Sequence, residues 1–231
     1  LVTPFELGAW SLLEPMGDQN HAPQLCWILP DLLGCVWMAG GGEGTAGMSV
    51  YLCLLSSDQG SWGVPQCISQ DLERSEQNPL LFVSDGVLHL IHSAQRVRDP
   101  SDRSWTESQC SFSMQWTAVL RHQTLKVEAI DIVRPESWEG QAWSACKDLI
   151  EAPAFCRHPP HRLADGTWLL PIYRSLEEGG SFGHDHSEVL QLDAAGAPMG
   201  SPLAVPESTG RVHGSIVPSA DGATLHHFLR S

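Results

Sequence analysis

The sequence predicts an all-β chain assembled from repeated sheets, and three observations carry that expectation. Apolar runs are short and rich in β-branched residues. Asp-Gly turns recur. Helix signals are scarce. Ser49–Leu55, Leu80–Val83, Val87–Ile91, Trp168–Ile172, Glu188–Leu192 and Thr224–Leu229 each have the length of one strand.

The turns come first. Asp85-Gly86, Asp165-Gly166 and Asp221-Gly222 each follow short apolar residues and lead directly into a strand-like run. Asp-Gly readily supplies the positive φ angles of a tight hairpin. Asp31, in Leu29-Pro30-Asp31-Leu32-Leu33, aligns as a degenerate fourth member. The four aspartates are spaced by 54, 80 and 56 residues. Two of these intervals suit one propeller blade, and the long one has room for an insertion or an extra half-blade.

A segment before each turn also recurs. It reads His21-Ala22-Pro23-Gln24-Leu25, Asn78-Pro79-Leu80-Leu81-Phe82, Ala152-Pro153-Ala154-Phe155 and His213-Gly214-Ser215-Ile216-Val217. Small residues or Pro followed by apolar ones suit the start of an inner strand beside a channel. A second element, Ser56-Ser57-Asp58-Gln59-Gly60-Ser61-Trp62, is one residue short of S-x-D-x-G-x-x-W. In such a hairpin Asp accepts backbone N–H bonds, Gly permits the turn and Trp is expected between blades. Ser111–Trp116 and Asp193–Gly196 read as eroded copies.

Composition sets limits on function. Of 231 residues, 42% are hydrophobic and 17% charged, which is a globular balance. Nine Trp against two Tyr point to recurring packing positions. The net charge of −14, with only Lys126 and Lys147 as lysines, argues against nucleic acid and anionic membranes as partners. No apolar run reaches the roughly 20 residues of a membrane span. Leu1–Gly8 lacks the basic start and long apolar stretch of a signal peptide. The seven cysteines (26, 35, 53, 67, 110, 146 and 156) form no C-x-x-C pair, so they read as buried thiols on strands, which favours a reducing compartment.

Taken in order, these segments resemble the sialidase-like β-propellers with Asp-box, or bacterial neuraminidase, repeats, in a branch with His-Ala-Pro where well-described sialidases have Arg-Ile-Pro. The resemblance runs from His21-Ala22-Pro23 through Val36–Gly44, the Ser56–Trp62 turn, Gln77-Asn78-Pro79, Asp165–Tyr173 and Gly210-Arg211-Val212-His213 to Leu229-Arg230-Ser231. It implies a six-bladed propeller of four-stranded sheets. About four blade signatures are present here, in one domain over 1–231. Open blade edges then imply either a longer chain that continues the ring or protein partners that cap the edges.

The resemblance implies an exo-glycosidase of the sialidase type and a carbohydrate ligand. Such enzymes hold the sugar carboxylate with three Arg, use Tyr with a Glu partner as nucleophile, and use Asp as acid/base. Here the first Arg position is His21, and the nucleophilic Tyr would fall in blades beyond these four. Two readings therefore stand side by side: a glycosidase-family propeller, and a catalytically silent propeller serving as a scaffold or accessory subunit.

The ligand-contact candidates are His21, Glu43, Asn78, Arg174, His213 and Arg230. Glu43 lies in the Gly40–Gly44 turn, where glycines allow close approach of backbone to a ligand, and reads equally as a solvated turn residue. His21 is placed either at a channel mouth or in a structural hydrogen bond. Asn78, before Pro79, is restricted to extended geometry and so pins a loop or faces the channel. Arg174, Arg211 and Arg230 suit anion contact or salt bridges. Tyr173 ends a strand on the channel side, whereas Tyr51 sits mid-strand. The runs Gly183-His184-Asp185-His186 and His158-Pro159-Pro160-His161 fall short of a metal site, and no cofactor motif occurs.

Overall fold

A computed structural model describes residues 2–5, 8–57, 60–97, 114–130, 143–176 and 184–231, with side chains from residue 11 onward. Asp58, Cys110, Ser111–Ser113 and the Gly179–Gly183 stretch lie outside them. No helix among the described residues is long and apolar enough to cross a membrane.

The chain folds into successive antiparallel sheets. After a hairpin of β1 (Val2–Phe5) and β2 (Gly8–Ser11), blade 1 comprises β3 (Gln19–Leu29), β4 (Leu32–Gly40), β5 (Ser49–Ser56) and β6 (Gln66–Ser69), paired in chain order. Blade 2 is β7 (Arg74–Ser84), β8 (Val87–Arg96), β9 (Val119–Lys126) and β10 (Lys147–Ile150). In blade 3, β13 (Trp168–Arg174) pairs with both β11 (Phe155–Cys156) and β12 (His161–Arg162) on one side. On the other it pairs with β14 (His186–Leu192), followed by β15 (Leu203–Ala204). A fourth blade is represented by β16 (Val212–Pro218) and β17 (Leu225–Arg230). The four blade signatures thus correspond to three complete sheets and the first two strands of another.

The four aspartate turns occupy one structural position, between the first and second strands of each blade. Asp85 and Gly86 have φ of +48° and +75°, both positive as a two-residue hairpin of the right twist requires. The recurring segments before these turns share a second device. Ala22, Asn78 and His213 all have positive φ (+54°, +51° and +55°). The register of β3, β7 and β16 shifts at each of these points. A left-handed residue followed by Pro or Gly makes a bulge that bends the inner strand and re-aims its side chains. Asn78 is therefore not extended: the bulge overrides the preference of a residue preceding Pro.

Stacking of blades makes the core. Successive residues of β7 point to opposite faces. Leu81 packs with Ile28, Val36 and Leu52 of blade 1, while Leu80 and Phe82 pack with Trp168, Leu170 and Leu190 of blade 3. Trp168 lies 4.7 Å from Phe82, centroid to centroid, and donates its indole N–H to Ser84 Oγ at 3.4 Å. The Gln24 amide binds the Leu81 backbone at both ends, accepting its N–H at 2.8 Å and donating to its carbonyl at 3.2 Å. One side chain thus takes the place of a ladder bond between neighbouring inner strands.

The Ser56–Trp62 turn joins the third and fourth strands of blade 1, with Gly60 at φ +61°. Trp62 does not lie between blades 1 and 2. It packs with Leu13, Met16, Trp37 and Tyr51 on the face of blade 1 turned away from blade 2. Asp193–Gly196 holds the matching position in blade 3: Asp193 Oδ1 accepts the Ala195 and Ala197 N–H groups at 2.9 and 2.8 Å. Trp116 instead lies in a 3₁₀ turn ahead of β9, between second and third strands. Among the described cysteines all are free. Cys35, Cys53 and Cys156 are buried, which raises their thiols to about 11, 12 and 12. Cys67 and Cys146 are exposed because they lie on or beside the outer strands β6 and β10, which border solvent.

A buried ionic network closes the upper seam between blades 1 and 2. Glu76 Oε1, fully buried, accepts Ser69 Oγ at 2.8 Å and lies 3.2 Å from His92 Nε2 and 3.3 Å from Arg121. Arg121 extends the network to Asp71 at 2.8 Å and Asp148 at 3.6 Å. Burial alone would raise the Glu76 carboxyl, yet His92, Ser69 and Arg121 hold it below its usual value of 4.5. Its contribution to stability is then complete above about pH 4.5 and lost as pH falls through the lower native value. Removing Glu76 leaves Arg121 paired with Asp71 and Asp148 but takes the acceptor from Ser69 and His92, so Glu76→Ala should cost about 1–3 kcal/mol. The shift of the urea midpoint at neutral pH measures this loss.

Candidate site at the channel mouth

The inner-strand bulges bring their residues to one end of the blades, and the ends of β4 and β13 meet them there. The Gly40–Gly44 turn is held from three sides. Glu43 N–H donates to Gln19 Oε1 at 3.0 Å, Gly44 N–H donates to Ser75 Oγ at 3.0 Å, and Thr45 Oγ1 donates to the Gly42 carbonyl at 2.7 Å. Gly44 has φ +86°, and a Cβ there would stand 3.3 Å from the Gln95 amide. So fixed, Glu43 Oε2 lies 3.5 Å from His21 Nδ1, with both side chains nearly half-exposed. The pair presents a carboxylate and an imidazole to solvent.

Tyr173, near the end of β13, is buried with Ala118, Phe155 and Val212. Its ring stacks on Phe155 at 5.2 Å and meets the His213 ring edge-on at 5.3 Å. Burial raises the Tyr173 phenol well above its ordinary value, with Cys156, Asp185 and Glu43 adding to the effect and Arg157 opposing it. A phenol held neutral is a poor nucleophile, and Tyr173 is buried. His213 is pushed down to about 4, first by burial and then by the charges of Arg230, Arg157 and His158. It is therefore neutral at pH 7, with one ring nitrogen able to accept a hydrogen bond.

The candidates thus separate. His21 and Glu43 pair directly. His213 lies against Tyr173, and Arg230 sits across the β16–β17 ladder, opposite Val212. Asn78 is buried, with its N–H on Met38 Sδ at 3.3 Å and its carbonyl accepting from Cys156 Sγ at 3.5 Å. Arg174 is committed to the blade: it donates to Glu188 at 2.8 Å and to the carbonyls of Glu151 and Pro153 at 3.0 and 2.9 Å. His184, Asp185 and His186 diverge, since Asp185 is buried and bonded by Ser175 Oγ at 3.1 Å while His186 turns to Glu188 at 3.3 Å. Phe155, Arg157 and His158 were not legible as site residues. They follow the Ala152-Pro153 segment, and its match to His21-Ala22-Pro23 was the available signal.

Residues 31–231 match the BNR repeat-like domain. The chain belongs to that family. No curated protein matches it. Among solved structures, the intramolecular trans-sialidase of Ruminococcus gnavus, bound to oseltamivir carboxylate, superposes with a TM-score of 0.63 at 10% identity, over 93% of this chain and 66% of that one. A Dyadobacter fermentans protein of unknown function gives 0.62 at 14% identity, over 91% and 62%. Trypanosoma rangeli sialidase with sialic acid gives 0.56 at 10% identity, over 95% and 35%. This BNR-repeat chain therefore spans under two thirds of the Dyadobacter and Trypanosoma proteins, and the likeness at these identities is one of fold: a sialidase-type β-propeller.

Arg230 is among the charges holding His213 down, so Arg230→Ala should move the His213 titration upward from about 4. Imidazole proton shifts followed by NMR against pH measure the change.

Proposed function

We propose that this BNR-repeat chain is a carbohydrate-binding propeller of the glycosidase-like group, and that the glycan sits at the channel mouth over Tyr173, between Glu43 and His213. The observation that carries this reading is the edge-on packing of His213 against Tyr173, with Glu43 within electrostatic reach of the same phenol. An aromatic floor with a few fixed polar groups at its rim is the usual make-up of a small-molecule site. His21, Glu43, His213 and Arg230 supply hydrogen bonds to sugar hydroxyls. A three-arginine grip on a carboxylate is not assigned, because Arg174 is already satisfied by Glu188 and two carbonyls. Hydrolysis by these residues alone is not part of the proposal.

A scaffold or accessory role is the second reading. It rests on Leu25 and Trp27 of β3, exposed by 58% and 64%, and on Phe228 of β17, exposed by 62%. In blade 2 the corresponding β7 residues, Leu81 and Val83, pack against the preceding blade.

The two readings part in a binding experiment. Sialic acid and arabinobiose serve as probes in saturation-transfer NMR on the whole chain. Binding that falls about tenfold or more in Glu43→Gln and in His213→Ala, with the melting temperature held, supports the glycan site. Absence of binding to both sugars, or equal binding in both variants, sinks it.

A further inference from the structure

We propose that the seam between blades 2 and 3 carries a proton-operated latch, formed by the pair of a buried His89 and a partly buried His122 and by the Asp193–Gly196 turn seated on it, and that mild acid loosens it. The latch stands whether or not the channel mouth binds a glycan.

His89 of β8 and His122 of β9 face blade 3. His89 Nδ1 lies 2.9 Å from His122 Nε2, and the two rings are within 4° of parallel. Phe82 stacks on His89 at 4.5 Å. The other ring nitrogen, His89 Nε2, is buried without a hydrogen-bond partner. Blade 3 closes this pocket with backbone. A Cβ on Gly196 would stand 2.8 Å from His122 Cε1 and from His89 Nδ1, so only glycine seats there, at φ +76°. The turn is pinned to its own blade by Asp193 Oδ1 and by the Gly196 N–H bond to the Asp193 carbonyl at 3.0 Å.

A neutral pair suits this site better than a charged one: one ring donates and the other accepts, and only the uncharged His89 Nε2 is left without a partner. A protonated pair does not fit. The added proton brings a full charge into a seam lined by Phe82 and glycine backbone, and burying an uncompensated charge is strongly unfavourable. The surrounding acids answer it only in part. Asp193 and Asp85 favour the protonated form, but burial outweighs them, and Asp85 also lies 3.7 Å from Arg162. Lys147 pairs with His122 in the β9–β10 ladder and adds positive charge. Hydration of the imidazolium then requires the Gly196 turn to lift. Burial, joined by mutual repulsion with His122, depresses His89 to about 4 and lowers His122 as well. A histidine with a depressed native value stabilises the closed seam fully above its ordinary value of about 6.5. That stability is lost as pH falls from there toward about 4.

Amide hydrogen exchange on the whole chain, corrected for the intrinsic rate, tests this. Between about pH 7.5 and pH 5, peptides over residues 186–199 should lose about tenfold or more of their protection, while those over 49–56 in blade 1 keep theirs. In the His89→Gln/His122→Gln double variant, which keeps hydrogen-bonding side chains and leaves neither ring to titrate, the loss should vanish. Each single variant should show a smaller loss than the natural sequence, and the two serve where the double variant folds poorly. Gly196→Ala should leave 186–199 unprotected at both pH values. Unchanged protection of 186–199 in the natural sequence, or an undiminished loss in the Gln variants, would overturn the latch.

Discussion

The three complete blades are apolar on both faces, and that constraint governs the rest of the molecule. A strand such as β7 sends Leu81 to one neighbour and Leu80 and Phe82 to the other, so no blade can satisfy itself. Burial is worth about 25 cal/mol per Å² of apolar surface, and a sheet with two such faces gains it only by stacking. The hairpin turns, the inner-strand bulges and the Gln24 clip to Leu81 all hold the stack in register. Where no neighbour is present, as at Leu25 and Trp27, the same pattern leaves large apolar side chains in solvent.

Polar groups in the seams follow from the same stacking. Between blades 1 and 2, a buried carboxylate meets a buried imidazole and a partly buried guanidinium. Between blades 2 and 3, a buried and a partly buried imidazole share a hydrogen bond, and burial disfavours the charged form of both. At the ends of β3 and β4, His21 and Glu43 pair with both side chains nearly half-exposed.

Much of the framework was legible in the sequence because its signals are local. Asp-Gly at 85–86 and 221–222 reports positive φ directly, and the apolar runs report strands. Even Asp31, with no glycine after it, marks the turn between the first two strands of its blade. The bulges were legible only as a repeat: Ala-Pro, Asn-Pro and His-Gly look unlike one another, yet each puts a left-handed residue at the same point of the inner strand. The site was less legible. Glu43 and His21 lie more than twenty residues apart, and nothing local announces that they meet. Arg174 offers the right chemistry for an anion, but Glu188 arrives from the adjacent strand and takes it.

By itself the sequence determined the all-β class, the repeat, the placing of the turns and the absence of a membrane-length apolar run. These depend on φ preferences and on period-two patterning, which act within a few residues. Only the tertiary structure decided which blade face meets which, that Trp62 covers the outer face of blade 1, that Arg174 is spent within its blade, and that His89 and His122 share one buried bond. Those outcomes depend on side chains far apart in the chain competing for the same partners, and proximity in space, not in sequence, settles such competition.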